Sequence, residues 1–258
     1  MALFTDAGVV TLDDLLQFEA PLIQVASSHG INVETKISLS VDAIGDKLLL
    51  WLLNVGASDP QFLIRRALGL STVVVTPSLH RWLCFDSLSR FFAEAYNVQL
   101  NTRFQAKWTE YQTEAERASE MFFMMGAGIV YKPLPEPLMP QVSLQSGGSP
   151  AQAIFVQTAW ADSNGNEGAL SPVNGVILAD NSTIVVSMAE GAAAPAAAAA
   201  WNVYVSATET GLTRQNLTPL AIGSTWELPA AGLSLGPNPT GGQQPEFYIR
   251  LSRQIRRG

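Results

Sequence analysis

The chain has 258 residues, 47% hydrophobic and only 14% charged, which is enough apolar material for two ordinary domains or one large one and excludes disorder of the whole. A formal charge of −7 and a pI of about 4.8 exclude a grip on a phosphate backbone through bulk charge, though not a wall that nucleic acid slides past. The single cysteine, Cys84, excludes an internal disulfide, and no apolar run reaches the ~20 residues of a membrane span. No basic-then-apolar leader opens the chain, so the expected compartment is the cytoplasm or a particle assembled there.

Residues 11–28 read as a first helix. Thr11 with Asp14 three positions on makes a capping box, and Leu12, Leu15, Leu16, Leu22 and Val25 give an apolar face. Pro21 is expected to kink or split this helix, and His29-Gly30 to close it. A second helix is expected from Ser40, with Val41, Ile44, Leu48, Trp51 or Leu52, and Val55 at helical spacing and Gly56 at its end. Asp59-Pro60 is a cap followed by proline, the start of a short helix carrying Phe62, Leu63 and Ala67. Val73-Val74-Val75 reads as a brief extended link. Thr76-Pro77 repeats the cap-then-proline signal, and the helix behind it runs to about Val98 with Trp82, Phe85, Leu88, Phe92 and Ala95 on one side.

The strongest periodicity lies in 101–125. Phe104, Trp108, Tyr111, Ala115, Ala118, Phe122 and Met125 alternate spacings of four and three, one seam along a helix on the order of 30 Å long. Asn101 caps its start and Gly126 its end. Phe104, Trp108, Tyr111, Phe122 and Met125 are expected to be the seam through which copies of the chain pack together. Glu110, Glu114, Glu116 and Glu120 are read as an acidic face, either solvated or lining a lumen. Short connections make successive helices antiparallel, so 1–132 is expected to be an α-helical bundle.

Pro133, Pro135, Pro137 and Pro140 then mark 133–150 as a Pro/Gly-rich linker of extended geometry, or alternatively a ligand for a proline-recognition domain. Beyond it the pattern is β. Strands are expected at 153–161, 183–188, 201–207, 225–228 and 246–251, with turn residues between them. Along 201–207, Trp201, Val203 and Val205 alternate with Asn202, Tyr204 and Ser206. The fold class expected is therefore α+β in two parts, the second a small β-sandwich over 151–251. The alanine-rich tract 192–200 reads as an inter-strand loop.

Catalytic signatures are missing: no GxSxG elbow, HExxH, phosphate loop or GxGxxG occurs, so no enzyme, catalytic residue or cofactor is expected. His80 and Cys84, four apart on a helix, begin a metal site without completing one and are read as structural. Asp162 and Glu167 flank a turn; they are read as turn residues rather than calcium ligands, and no metal site is expected. The C-terminus reverses the charge of the chain. Arg250, Arg253, Arg256 and Arg257 follow the last acid, Glu246, so 252–258 is either a frayed tail or a docking arm for carboxylates.

Leu100-Asn101, Arg103-Phe104, Ala106-Lys107-Trp108 and Glu110-Tyr111 resemble the long-helix signature of head-to-tail connector (adaptor) proteins of tailed bacteriophages. Gly126, Gly128 and Pro133-Leu134-Pro135 are similar to the way that helical part ends. Trp160, Gly165-Asn166-Glu167-Gly168, Ser171, Trp201-Asn202-Val203-Tyr204-Val205 and the closing Arg256-Arg257-Gly258 resemble immunoglobulin- or fibronectin-like modules of phage structural proteins. The resemblance implies a structural virion protein at the neck, under the capsid vertex. It implies a homo-oligomeric ring, typically of twelve copies, that binds the portal protein, offers a surface to a tail or nozzle protein and extends the DNA channel. DNA would pass without sequence-specific binding, no membrane is involved, and Arg250, Arg253, Arg256 and Arg257 would be the portal-docking tail. The alternative is a tail-tip or fibre module whose sandwich stacks a cell-surface glycan on Trp160, Trp201, Tyr204 and Trp226.

Overall fold

The computed structural model describes residues 1–58, 68–189 and 193–250, and over these the chain is α+β, helical in its N-terminal half and sheet-rich in its C-terminal half. The helices are α1 (Leu12–Phe18), α2 (Leu22–His29), α3 (Val33–Ser58), α4 (Pro77–Gln99) and α5 (Thr102–Met125). Ten strands follow: β1 (Ala127–Ile129), β2 (Gln141–Ser149), β3 (Gln152–Ala161), β4 (Asn174–Leu178), β5 (Ser182–Ser187), β6 (Ala200–Ser206), β7 (Thr213–Arg214), β8 (Leu220–Ala221), β9 (Trp226–Glu227) and β10 (Phe247–Ile249). Two compact units result, and they do not follow the sequence: Met1–Asp6 joins Lys132–Gln244, and residues 245–250 join Ala7–Tyr131.

In the helical unit α4 is the element that α1, α2, α3 and α5 all pack on. Its buried residues, among them Leu79, Trp82, Leu83, Leu88, Phe91 and Phe92, lie all round the helix, which is why it sits in the middle. The local signals act as expected at most ends. Thr11 Oγ1 accepts from the Asp14 N–H (3.3 Å) while Asp14 Oδ2 accepts from the Thr11 N–H (2.8 Å), completing the capping box of α1. Pro21 separates α1 from α2, and Asn101 Oδ1 takes the Arg103 N–H (3.0 Å) at the start of α5. The second long helix starts at Val33 rather than Ser40, because Asn32 Oδ1 accepts the Thr35 N–H (3.1 Å) and caps it a full two turns earlier. The short helix expected after Asp59-Pro60 lies outside the described residues.

At the end of α5 the chain passes through Gly126, at φ 97°, into β1. β10 pairs antiparallel with β1 (Ala127 opposite Ile249, Ile129 opposite Phe247), and Val73 bridges to Ile129 from the other side. The strand expected at 246–251 thus belongs with the helices and not with the sheets of 151–251.

In the other unit, β2, β5 and β9 form one antiparallel sheet, and β4, β3, β6 and β7 a second, with β8 also on β6. Neither closes on itself. Ile154, Val156 and Trp160 of β3, Trp201, Val203 and Val205 of β6, Ile184 and Val186 of β5 and Trp226 of β9 meet in a single buried cluster, so strands of both sheets share one core. The stretch 133–150 is not a free linker. Leu134 is buried in that core, its N–H bonded to Gln243 Oε1 (2.9 Å), and residues 141–149 are β2, in register with β5. Nor does the helical unit begin at residue 1: the Met1 ammonium donates to the Gly241 carbonyl, and Asp6 Oδ1 accepts the Glu136 N–H (2.9 Å).

Candidate functional site

The α5 seam is covered inside the chain. Phe104, Tyr111, Ala115 and Phe122 are buried, Trp108 and Ala118 half-buried, and only Met125 is exposed. Tyr111 stacks on Phe92 of α4 (5.6 Å between ring centres) and Phe122 packs against Trp82 (5.9 Å). This corrects the expectation of a stripe left half open: α4 supplies the aromatic partners that the pattern of α5 alone does not reveal. A polar clasp tightens it. Tyr111 donates to Glu19 Oε2 (2.6 Å) and Lys107 Nζ sits 3.0 Å from the same oxygen, and burial together with the Glu19 carboxylate pushes the Tyr111 phenol up from its ordinary value.

The four glutamates spread over an arc of about 160°, half of the helix, and do not line one narrow stripe. Glu110 and Glu114 are four apart, as are Glu116 and Glu120, but the two pairs are offset so that Glu114 and Glu116 point about 160° apart on the helix. Glu110 lies beside Lys107 (3.4 Å) and Glu114 binds Arg117 (2.5 Å); Glu110, Glu116 and Glu120 are exposed. Glu114 and Arg117, with Arg81, Phe85, Ala118 and Met121, line a cleft of about 360 Å³ between α4 and α5. On α3 a second open surface runs along Leu39, Leu49, Leu50 and Leu53.

Asp14, His80 and Cys84 do come together. His80 Nε2 lies 3.5 Å from Asp14 Oδ2, and His80 Nδ1 lies 3.8 Å from Cys84 Sγ. The order resembles a nucleophile–base–acid relay, but burial and the Asp14 charge push the thiol up to about 12, which leaves no thiolate at neutral pH. Among the described residues no group of three or more His, Cys, Asp or Glu is placed to hold a metal ion.

In the sheet unit Asp162 and Glu167 are separated by the turn they flank. Asp162 Oδ1 accepts the N–H groups of Asn164 (2.8 Å) and Asn166 (2.9 Å). Burial pushes this carboxyl up, but the Asn166 side-chain amide, which donates to Asp162 Oδ2 (2.9 Å), and the backbone donors outweigh it and hold it below the usual range. Glu167 turns instead onto the face of β6 away from the main core. Its Oε1 accepts from the Tyr204 hydroxyl (2.7 Å) and from Asn202 Nδ2, and its Oε2 from Thr240 Oγ1 (3.1 Å). Asn216 extends the network, donating to Asn202 Oδ1 (2.7 Å) and accepting the Val203 N–H (2.9 Å). The alternation along β6 suggests that Asn202 and Tyr204 face water, yet both are buried, because the 167–171 and 212–216 segments close over them. No local signal carries that. Trp160, Trp201, Tyr204 and Trp226, the aromatics available for stacking a sugar, are all buried.

Of the basic tail, Arg250 is engaged within the helical unit, its Nε donating to the Met125 carbonyl (2.9 Å), while Arg253, Arg256 and Arg257 lie outside the described residues. Among the described residues no helix is long and apolar enough to cross a membrane. No family model matches the chain, and no curated protein matches it either.

Proposed function

We propose that the chain is a structural virion protein of a tailed bacteriophage, one copy of a ring of about twelve that joins the capsid portal to the tail and extends the DNA channel. The observation that carries this reading is apolar surface left open on long helices. Leu49, Leu50 and Leu53 of α3 are 42%, 61% and 64% exposed, and Met121, Met124 and Met125 of α5 are 52%, 64% and 49% exposed. Contiguous apolar surface of this kind marks a place where other protein packs. The long-helix motif around Trp108 supports the same assignment by resemblance. In this reading the exposed Glu116 and Glu120 belong to a channel wall that repels DNA and lets it pass. The two sheets form an immunoglobulin-like β-sandwich around their common core, turned outward or toward the tail, and the basic C-terminal residues meet the portal.

The test is native mass spectrometry of the purified chain, alone and mixed with its portal. A closed ring, or portal-bound copies in the portal's own stoichiometry, is the expected outcome. A lone chain under both conditions overturns the reading.

A further inference from the structure

The two open apolar surfaces of the helical unit are complementary. On α3, Leu39, Asp42, Asp46, Leu49, Leu50 and Leu53 fall within an arc of about 100°. The opposite arc holds the buried Ile37, Ile44, Leu48 and Trp51. The stripe is leucine interrupted by two exposed aspartates, neither of which has an ion-pair partner among the described residues. The cleft between α4 and α5 has the reverse character. Phe85, Ala118, Met121 and Met125 make it apolar, Arg81 and Arg117 bring positive charge that Glu114, paired with Arg117, only partly offsets, and Arg81 is likewise unpaired.

The stripe and the cleft also point in opposite directions. Arg81 and Phe85 of α4 line the cleft, whereas Glu94, nine residues or about 180° round the helix from Phe85, pairs with Lys36 of α3. Leu83, about 200° from Phe85, gives its carbonyl to the Ser40 hydroxyl of α3 (3.3 Å). α3 therefore occupies one flank of α4, and the cleft opens on the other.

We infer that the leucine–aspartate stripe of one copy docks in the cleft of a second copy, with Leu50 and Leu53 on the Met121 and Phe85 side chains and Asp42 and Asp46 against Arg81 and Arg117. Charge complementarity selects this pairing. A two-fold dimer would set each surface against itself, aspartate on aspartate or arginine on arginine. Docking of unlike surfaces on opposite flanks is heterologous, so each copy leaves one surface free for the next, and the chain of copies closes as a ring when the rotation per step divides the circle. The inference rests on the ring reading and supplies the contact that builds it.

Cross-linking of full-length chains tests it. L53C and M121C variants are prepared separately and mixed under mild oxidation; the native Cys84 is buried and does not compete. A disulfide-linked dimer is expected only in the mixture, and a ladder of higher species from a chain carrying both substitutions. Charge reversal by D42R/D46R, or by R81E/R117E, is expected to lower the yield roughly tenfold, and both reversals in one chain to restore it. An absent cross-link in the mixture, or yields unmoved by charge reversal, overturns the docking. If the portal still carries a ring, only this interface falls. A ladder without any ring on the portal sinks the ring reading and leaves the docking in place.

Discussion

Glu167 occupies a position where one carboxylate replaces a patch of apolar packing. It accepts from Asn202, Tyr204 and Thr240 on the far face of β6, and if it were removed the Asn202 amide and the Tyr204 hydroxyl would each lose that partner while buried. Tyr204 makes the arrangement measurable through pH. Burial first, and the hydrogen bond to the Glu167 carboxylate second, raise its phenol above the ordinary value of 10. A group whose folded value is raised contributes stability in full below its unfolded value and loses it as the pH climbs toward the folded one. Above about pH 10 the unfolded chain ionises first, and stability falls by about 1.4 kcal/mol per pH unit for this group. Tyr204→Phe is expected to cost about 1–2 kcal/mol at neutral pH and to remove that share of the alkaline loss. Urea midpoints of wild type and variant, followed from neutral pH to about pH 11, check this; parallel pH dependences would contradict it. Glu167 was legible in the sequence only as a turn residue. The segments that bury it come from elsewhere in the chain, and strand alternation says nothing about a second covered face.

The elements that local chemistry specifies were legible, and those that depend on distant pairing were not. Thr11, Pro21, Thr76-Pro77 and Asn101 carry cap or breaker signals within a turn of the boundary they set, and those boundaries fall where they are expected. β3, β5 and β6 were legible from β-branched and aromatic runs. β1, β2, β4, β7 and β8 are short or polar, and they exist because a partner strand is present. Gly126 joins the two kinds of element. Its positive φ ends α5, and a Cβ built there would lie 2.6 Å from the Ile249 carbonyl oxygen of the strand paired with β1. Gly126→Ala therefore strains the backbone and presses β10 away in the same step. A loss of about 2–3 kcal/mol is expected. Hydrogen exchange should quicken at the β1 and β10 amides while the interior of α4 keeps its protection. A variant with wild-type exchange at Ile249 would show that the close approach is not a constraint.

At the scale of the whole chain the termini are exchanged: the first six residues belong with the sheets, and 245–250 with the helices. A reading by composition divides the molecule at the proline-rich stretch and hands each half its own end, because composition registers neighbours in sequence and strand pairing does not depend on them. The consequence for the C-terminus is specific. β10 supplies three residue pairs to β1, the Glu246 N–H donates to the Ile129 carbonyl (2.9 Å), and Phe247 stacks on Tyr131 (4.6 Å). A chain ending at Gln244 would leave the β1 edge unpaired on that side, and an unpaired edge is both unstable and sticky. Exchange at the 127–131 amides is expected to rise on the order of a hundredfold, while β3 and β6 stay protected. A chain ending at Leu251 keeps β10 and should exchange as wild type in β1. The pair of truncations separates two roles that the sequence runs together. If loss of portal binding appears only in the shorter chain, the segment acts by completing the helical unit. If it appears already at Leu251, with β1 still protected, the arginines beyond it do the docking. Wild-type protection of β1 in the chain ending at Gln244 would remove β10 from the helical unit.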